Sequence, residues 1–417
     1  MKGKGEVESR GSADGLLVAC GVGCLFSFNV LLCVMLSFVR YRFGGDLAVN
    51  DEGMLACQVA SLVVTAALTF VRSSEVLFAG LVAGAVCNAA GTGLIIGSES
   101  RGLFIAALGL IGCGMSCIQG CGFAVLAHPA LEPYAGAPRF SLGQGLGGLI
   151  AWILGLLFDR VFKEPAADAM PVAAACALLI VACGCTVVPS CGFVAFFRLK
   201  LQDATVPPTL PNSREPLYPG DHQNGDHQNG DHQNHNSLSG EHNPLNGDYV
   251  PMAADGTGLL PIVPYVFGIY MAFVVTLFSF PGVAPLRWNI GDKVIWLIGV
   301  FQVGDIVGRF LGGWSQPMAS ALFVCLSCTR LPLVYWCLAA LGQSLASKVV
   351  CMAILAASNS YLFTVGMSQS PPKITPSLRA SAASCCILGL LLGNATGLWA
   401  CGRFADRLLQ IANRSDF

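Results

Sequence analysis

The stretch Phe301-Gln302-Val303-Gly304-Asp305-Ile306-Val307-Gly308-Arg309 decides how this chain is read. It lies inside an apolar run from Val294 to Gly313, long enough for a membrane helix. Asp305 and Arg309 are four residues apart, so a helix places them on one face, one turn from each other. A charged side chain at the bilayer centre costs about 2.5–3.5 kcal/mol on insertion scales. Such residues are kept turned towards a cavity or a partner. A structural reading competes with a functional one: the two residues clamp each other, or Arg309 snorkels to a helix end. The functional reading, a pathway for something polar, is the default for ionisable residues inside a membrane.

Working outward, composition fixes the class. Of 417 residues, 54% are hydrophobic and only 11% are charged. Soluble domains carry about 25% charged residues, so this is an integral membrane protein. The net charge of −1 gives no reason to expect a nucleic-acid partner. Nearly all of the 19 cysteines lie within apolar runs, where they act as small packing residues rather than as a disulfide framework.

The apolar runs are Gly15–Val39, Gly53–Val71, Val76–Gly97, Gly102–Ala127, Leu142–Phe158 and Pro171–Phe197, then Leu259–Ala284, Val294–Gly313, Met318–Leu341, Ser347–Met367 and Ala380–Cys401. The first exceeds the ~7–15 residues of a signal-peptide core and lacks a convincing cleavage site, so it reads as a first transmembrane helix. Eleven spans are expected in an all-α polytopic protein with halves of six and five. The expected divisions are a tail (1–14), a six-helix bundle (15–197), a low-complexity loop (198–258), a five-helix bundle (259–405) and a second tail (406–417). The loop carries Gly-Asp-His-Gln-Asn three times between Gly220 and Asn234, and five of the chain's six histidines. Its low hydrophobicity predicts a disordered linker, although His-rich tracts also bind metals.

Several features inside the spans are polar or break a helix. Asn29 reads equally as a helix–helix hydrogen bond or as a cavity-lining group. Cys113, Cys117 and Cys121 sit at four-residue spacing beside glycines, a close-packing face in preference to a soft-metal site. On the same span Gln119 donates and accepts without the cost of a charge, which suits a purine or a sugar hydroxyl. The fifth span opens with Ser141-Leu142-Gly143-Gln144-Gly145-Leu146-Gly147-Gly148, glycine-dense for close backbone approach and without the Lys-Ser/Thr ending of a phosphate loop. Ser279-Phe280-Pro281-Gly282 breaks the seventh span, Arg330 precedes Pro332 in the ninth, and Ser358-Asn359-Ser360-Tyr361 lies in the tenth. Polar groups on so many spans converge only around a central path, the layout of a secondary transporter.

Taken in order, these motifs resemble the equilibrative nucleoside transporters. The matches are Gly21-x-Gly23-x-Leu25-x-x-x-Asn29, Gln119-Gly120, Gly143 to Gly148, Phe280-Pro281-Gly282, Asp305-x-x-Gly308-Arg309, Arg330-x-Pro332, and Ser358-Asn359-Ser360-Tyr361-Leu362 followed by Met367 and Pro371. The resemblance spans nearly the whole chain outside 198–258. It departs at Phe28, where members often carry Trp, at Ser360, where Gly is common, and at Gln302, a position of variable polar residues; these departures bear on substrate choice.

The resemblance implies a major-facilitator-like fold and facilitative movement of nucleosides or nucleobases by alternating access, with no covalent chemistry, cofactor or metal. The substrate-binding residues it implies are Asp305, Arg309, Gln119, Asn29, Phe28, Gln302 and Asn359. Arg309 and Asp305 would meet the ribose hydroxyls and Gln119 the base edge. The runner-up is a proton-coupled symporter in which Asp305 titrates. A membrane enzyme is disfavoured, because the one histidine outside the loop is His128; a receptor has no need of a central Asp–Arg pair. The expected partners are a small nucleoside or nucleobase and the lipid bilayer, with a monomer in the plasma membrane. Lys and Arg divide almost evenly between the two sides, so charge leaves orientation open. The resemblance places the N-terminus and the loop in the cytoplasm.

Overall fold

A computed structural model describes residues 3–71, 73–129, 131, 136–162, 170–205, 258–284, 288 and 293–414, and the described residues form helices and turns without a strand. The helices of the first half are α1 (Gly3–Arg42), α2 (Leu47–Leu68), α3 (Ser74–Gly97), α4 (Arg101–Leu126), α5 (Gly136–Phe162) and α6 (Val172–Thr205). Those of the second are α7 (Val263–Leu277), α8 (Val294–Gly313), α9 (Ser320–Cys328), α10 (Leu331–Ala339), α11 (Leu345–Gln369) and α12 (Arg379–Arg414). Among the described residues nine helical segments are long and apolar enough to cross a membrane. The second and eighth expected spans correspond to α2, whose Glu52–Leu68 part is a shorter apolar helix, and to α8. The repeat-bearing stretch 220–234 lies outside the described residues.

The breaks fall where proline and glycine put them. The α7 helix runs into a π-helical segment, Phe278–Val283, inside which Phe280 takes the extended angles φ −132° and ψ 128°. The Ala284 amide closes the wide turn by donating to the Ser279 carbonyl at 2.7 Å. The ninth expected span is likewise two helices, α9 and α10, parted at Thr329-Arg330, because Pro332 brings no amide hydrogen to the ladder. The N-terminal polar segment continues the first span as helix from Gly3.

Burial is turned inside out relative to a soluble protein. Val86, Val188 and Trp399 are 62%, 71% and 65% exposed, whereas Asp305, Arg309 and Arg330 are 7%, 7% and 3% exposed. Lipid covers the first set; the second has to find partners inside the protein.

Helix packing repeats between the halves. The α1 helix packs on α5 as α7 packs on α12, and α2 on α4 as α8 on α11. The halves meet through two equivalent seams, α5 with α8 and α2 with α12. Of the four apolar cores among the described residues, the three larger ones lie around these seams. One, built from Phe26, Val34, Phe38, Phe104, Ile111 and Leu178, belongs to the first half; another, with Val275, Trp288, Leu297, Phe301, Met352 and Ala405, belongs to the second. The third joins the halves through Leu17, Phe123, Phe140 and Phe193 on one side and Tyr265, Phe273, Phe363 and Leu390 on the other. Its members come from the helix ends nearest the α6–α7 connection, so the halves are fused on that side and hold separate cores on the opposite one.

Small residues allow the close seams. The glycine-dense opening of α5 lies against two neighbours at once. A Cβ on Gly147 would come within 2.7 Å of the Val22 carbonyl oxygen of α1, and one on Gly145 within 2.9 Å of Arg309 Cδ and Asp305 Oδ2 of α8. The cysteine row of α4 packs in the same manner: a Cβ on Gly84 of α3 would meet Cys117 Cβ at 2.8 Å. We expect Gly143→Ala, whose Cβ would sit 2.9 Å from Gly21 Cα and against the Val18 carbonyl, to lower the thermal unfolding midpoint of purified protein. Overpacking of this kind costs about 1–3 kcal/mol. Gly93→Ala, with nothing within 4 Å, should leave the midpoint unchanged or raise it.

Candidate functional site

Two rows of residues on α8 set up the site. Gly304, Gly308 and Gly312 lie against the α11 backbone, where a Cβ on Gly304 would meet the Ala353 carbonyl oxygen at 2.9 Å. That contact turns the neighbouring row, Asp305 and Arg309, towards α5. Arg309 Nε donates to Asp305 Oδ2 at 2.7 Å, and Nη2 reaches Oδ1 at 3.4 Å. Nη1 crosses between the halves, donating at 3.0 Å to each of the Ser141 carbonyl oxygen, Ser141 Oγ and Gln144 Oε1. The Ser360 hydroxyl of α11 donates to Asp305 Oδ1. The Ser141 and Thr364 hydroxyls pair at 2.8 Å, a second polar link between α5 and α11.

The pair is therefore desolvated but answered. Breaking a buried ion pair by removing one partner costs about 3–5 kcal/mol, since the other charge is left alone. The Arg309 guanidinium also lies over the Phe363 ring, 5.3 Å from its centroid. Phe363 in turn meets Phe123 of the first half edge-on, with centroids 5.7 Å apart, and Phe273 of α7 at 5.8 Å. Charge and apolar seal thus share one side chain.

A guanidinium carries five N–H donors. Arg309 commits Nε, both hydrogens of Nη1 and one of Nη2. The second Nη2–H has no acceptor among the described residues. The cation is fixed in place and still has one donor to offer.

Arg330 forms a second centre with a different character. Its Nε donates to Ser358 Oγ at 2.9 Å, Nη1 to the Ala272 carbonyl oxygen at 2.5 Å and to Asn359 Oδ1 at 3.5 Å. Nη2 donates to Thr276 Oγ1 and to the Leu355 carbonyl oxygen, each at 2.9 Å. All five donors are used, every acceptor is neutral, and the groups belong to α7 and α11 of the second half.

The residues expected from sequence divide accordingly. Asp305 and Arg309 stand at the seam. Gln302, one turn from Asp305 towards the start of α8, lies against α5, where a Cβ on Gly148 would meet its Cδ at 2.9 Å. Asn359 belongs to the Arg330 cluster. Gln119 is buried at 4% exposure and makes no hydrogen bond among the described residues. Asn29 forms no helix–helix hydrogen bond among them: its Nδ2 donates to the Leu25 carbonyl of its own helix at 3.0 Å, because a short amide four residues on reaches that oxygen first. Phe28 is half-buried and stacks on no other ring among the described residues. Ser141, Gln144, Ser360 and Thr364 were not in the expected set, nor was Arg330. Gln144 carried a signal, an amide between two glycines in a span, and so did Ser360, a hydroxyl where Gly is common in the family the chain resembles; the Ser141 and Thr364 hydroxyls carried nothing that pointed to this seam.

No model of a protein family matches the sequence, and no curated protein is significantly similar to it. Solved structures share its architecture. The human organic anion transporter MFSD10 is 12% identical, with 97% of this chain and 98% of that one covered at a TM-score of 0.56. A bacterial homologue of the iron transporter ferroportin, in an outward-facing state, is 12% identical over 96% of this chain and 95% of its own at 0.56. At such identity the likeness establishes the fold: this is an all-α, multi-pass membrane protein with the major facilitator architecture. The nucleoside transporter resemblance rests on the sequence motifs.

The two hydroxyl links to the site differ in the charge of the acceptor, which ranks their worth. A hydrogen bond to a charged group contributes about 1.5–3 kcal/mol and a neutral one about 0.5–1.5 kcal/mol. Ser360→Ala, which removes a donor to the Asp305 carboxylate, should lower the unfolding midpoint of purified protein more than Thr364→Val, which removes a neutral pair. The reverse order would mean that the Ser360 hydroxyl does not hold the Asp305 carboxylate.

Proposed function

We propose that this chain is a facilitative transporter that moves nucleosides or nucleobases, purines among them, across the plasma membrane by alternating access. The observation that carries the reading is the Arg309–Asp305 pair, held at the seam between two pseudo-symmetric halves with one guanidinium N–H unanswered among the described residues. The major facilitator architecture and the ordered sequence motifs support it. The eleven-span layout, a cytoplasmic N-terminus and loop, and a monomer complete the reading.

The geometry offers a mechanism. A planar fork with a counter-charge behind it suits two adjacent hydroxyl oxygens, which an ammonium does not match. Gln119, buried with both its carbonyl and its amino group unpaired among the described residues, supplies the donor and acceptor that a base edge needs. Asn29, Phe28, Gln302 and Asn359 complete the set of solute contacts in this reading. Passage to the loop side requires that α5 part from α8 and α11, which breaks the Arg309 bonds to Ser141 and Gln144 and the Phe123–Phe363 contact. A solute whose oxygens take over the donors of Arg309 replaces what that movement loses. Binding then shifts the balance between the two conformations by the difference in affinity, as alternating access demands.

Uptake by a transport-null cell, with labelled purine and pyrimidine nucleosides and nucleobases, is expected to show saturable entry without a pH gradient. Arg309→Lys keeps the charge and loses the fork. In folded, purified protein it should weaken binding of the transported nucleoside by roughly tenfold or more, the worth of a charge-assisted, bidentate contact. Wild-type affinity in that variant would leave Arg309 as a bolt between the halves and end its role in recognition.

A further inference from the structure

The Arg330 cluster does more than hold helices together. An arginine only donates, so the atom of the Asn359 amide that faces it is Oδ1, and the amide has one orientation. Thr276 Oγ1 lies 2.9 Å from the same oxygen and is itself held by Arg330 Nη2. Oδ1 is thus bound from two sides. The two Nδ2–H donors point away from the cluster, and neither has an acceptor among the described residues. The side chain is 4% exposed, yet its Nδ2 is not among the sealed polar atoms without a partner. A buried amide with two unanswered donors is costly unless something arrives to accept from them.

Position says what arrives. Asn359 lies one turn before Phe363 on the same face of α11, and Phe363 is the ring that covers the Arg309 guanidinium. Its neighbour Ser360 holds the Asp305 carboxylate. The free donors therefore belong to the lining of the same central path, one turn from the Arg309 centre towards the side where the halves hold separate cores.

We propose that Arg330 is a positioning residue: its guanidinium fixes the Asn359 amide so that both Nδ2–H donors face the central path, where they bind a hydrogen-bond acceptor on the transported solute. This rests on the nucleoside reading above and adds a point of recognition to it. Arg330 itself, with every donor taken by neutral groups of α7 and α11, touches no solute.

The test is equilibrium binding of adenosine and of analogues that each lack one acceptor (the 1-, 3- and 7-deaza and the 2′-, 3′- and 5′-deoxy compounds) to purified protein. Wild-type protein should bind one analogue roughly five- to tenfold more weakly than adenosine, the worth of one neutral hydrogen bond. In Asn359→Ala, Asn359→Asp and Arg330→Gln that discrimination should vanish while selectivity against the other analogues survives. Combining Arg330→Gln with Asn359→Ala should add nothing further, as expected for residues acting through one contact. Asn359→Asp keeps an acceptor for Arg330 and adds a counter-charge, so even where Arg330→Gln fails to fold it still tests whether the amide donors of Asn359 meet the solute, on which the positioning role depends. Intact discrimination in folded Asn359→Asp, or in folded Arg330→Gln, overturns the positioning role. Wild-type protein that binds none of these compounds contradicts the nucleoside reading and this inference together.

Discussion

A guanidinium withdrawn from water needs its donors answered, and the rest of this structure is arranged around answering all but one of those of Arg309 among the described residues. Its charge is met by Asp305 one turn away, which is local. Its remaining reach is met by Ser141 and Gln144 of the opposite half, which is not. Close approach of α5 is possible because Gly145 and Gly148 have no side chains to collide with the polar groups of α8. The same interaction therefore sets both the helix spacing and the contact between the halves.

Placing a charge-bearing link at a seam gives a property that an apolar seam lacks. An apolar contact separates with a cost proportional to its area, whatever is present in the path. A hydrogen-bonded cation separates cheaply only when another acceptor takes its donors. In the proposed alternating-access reading, the aromatic core around Phe123, Phe140, Phe273 and Phe363 is the general seal on the loop side, and the Arg309 network is the part sensitive to what has bound. Arg330 stands apart from this. It uses all its donors within one half, and so ties the helix broken at Thr329-Arg330 firmly to α7 and α11.

Much of this was legible before any coordinates. The i,i+4 spacing of Asp305 and Arg309 requires one face, and the Ser279–Gly282 motif announced the break that appears as a π-helical turn, whereas the ninth span was expected whole and is divided before Pro332. Glycine density at 143–148 gave close packing. What stayed hidden are the partners that tertiary structure alone selects. Ser141 and Thr364 are ordinary span hydroxyls in sequence, and nothing local says that folding brings them together across the halves. Asn359 and Ser360 are adjacent in sequence, yet the 100° step of the helix sends one to Arg330 and the other to Asp305. Asn29 was open between two uses; the reach of its own helix carbonyl decided against a bond to a neighbouring helix.

The central claim is that the Asp305–Arg309 pair receives the solute. It is tested most directly by a structure determined with a saturating concentration of a nucleoside, the substrate class proposed above. The account predicts solute density bounded by α5, α8 and α11, with an oxygen within hydrogen-bonding distance of Arg309 Nη2 and the base reaching towards Gln119. Density in another part of the molecule, with the Arg309 bonds to Asp305, Ser141 and Gln144 unchanged, would contradict it.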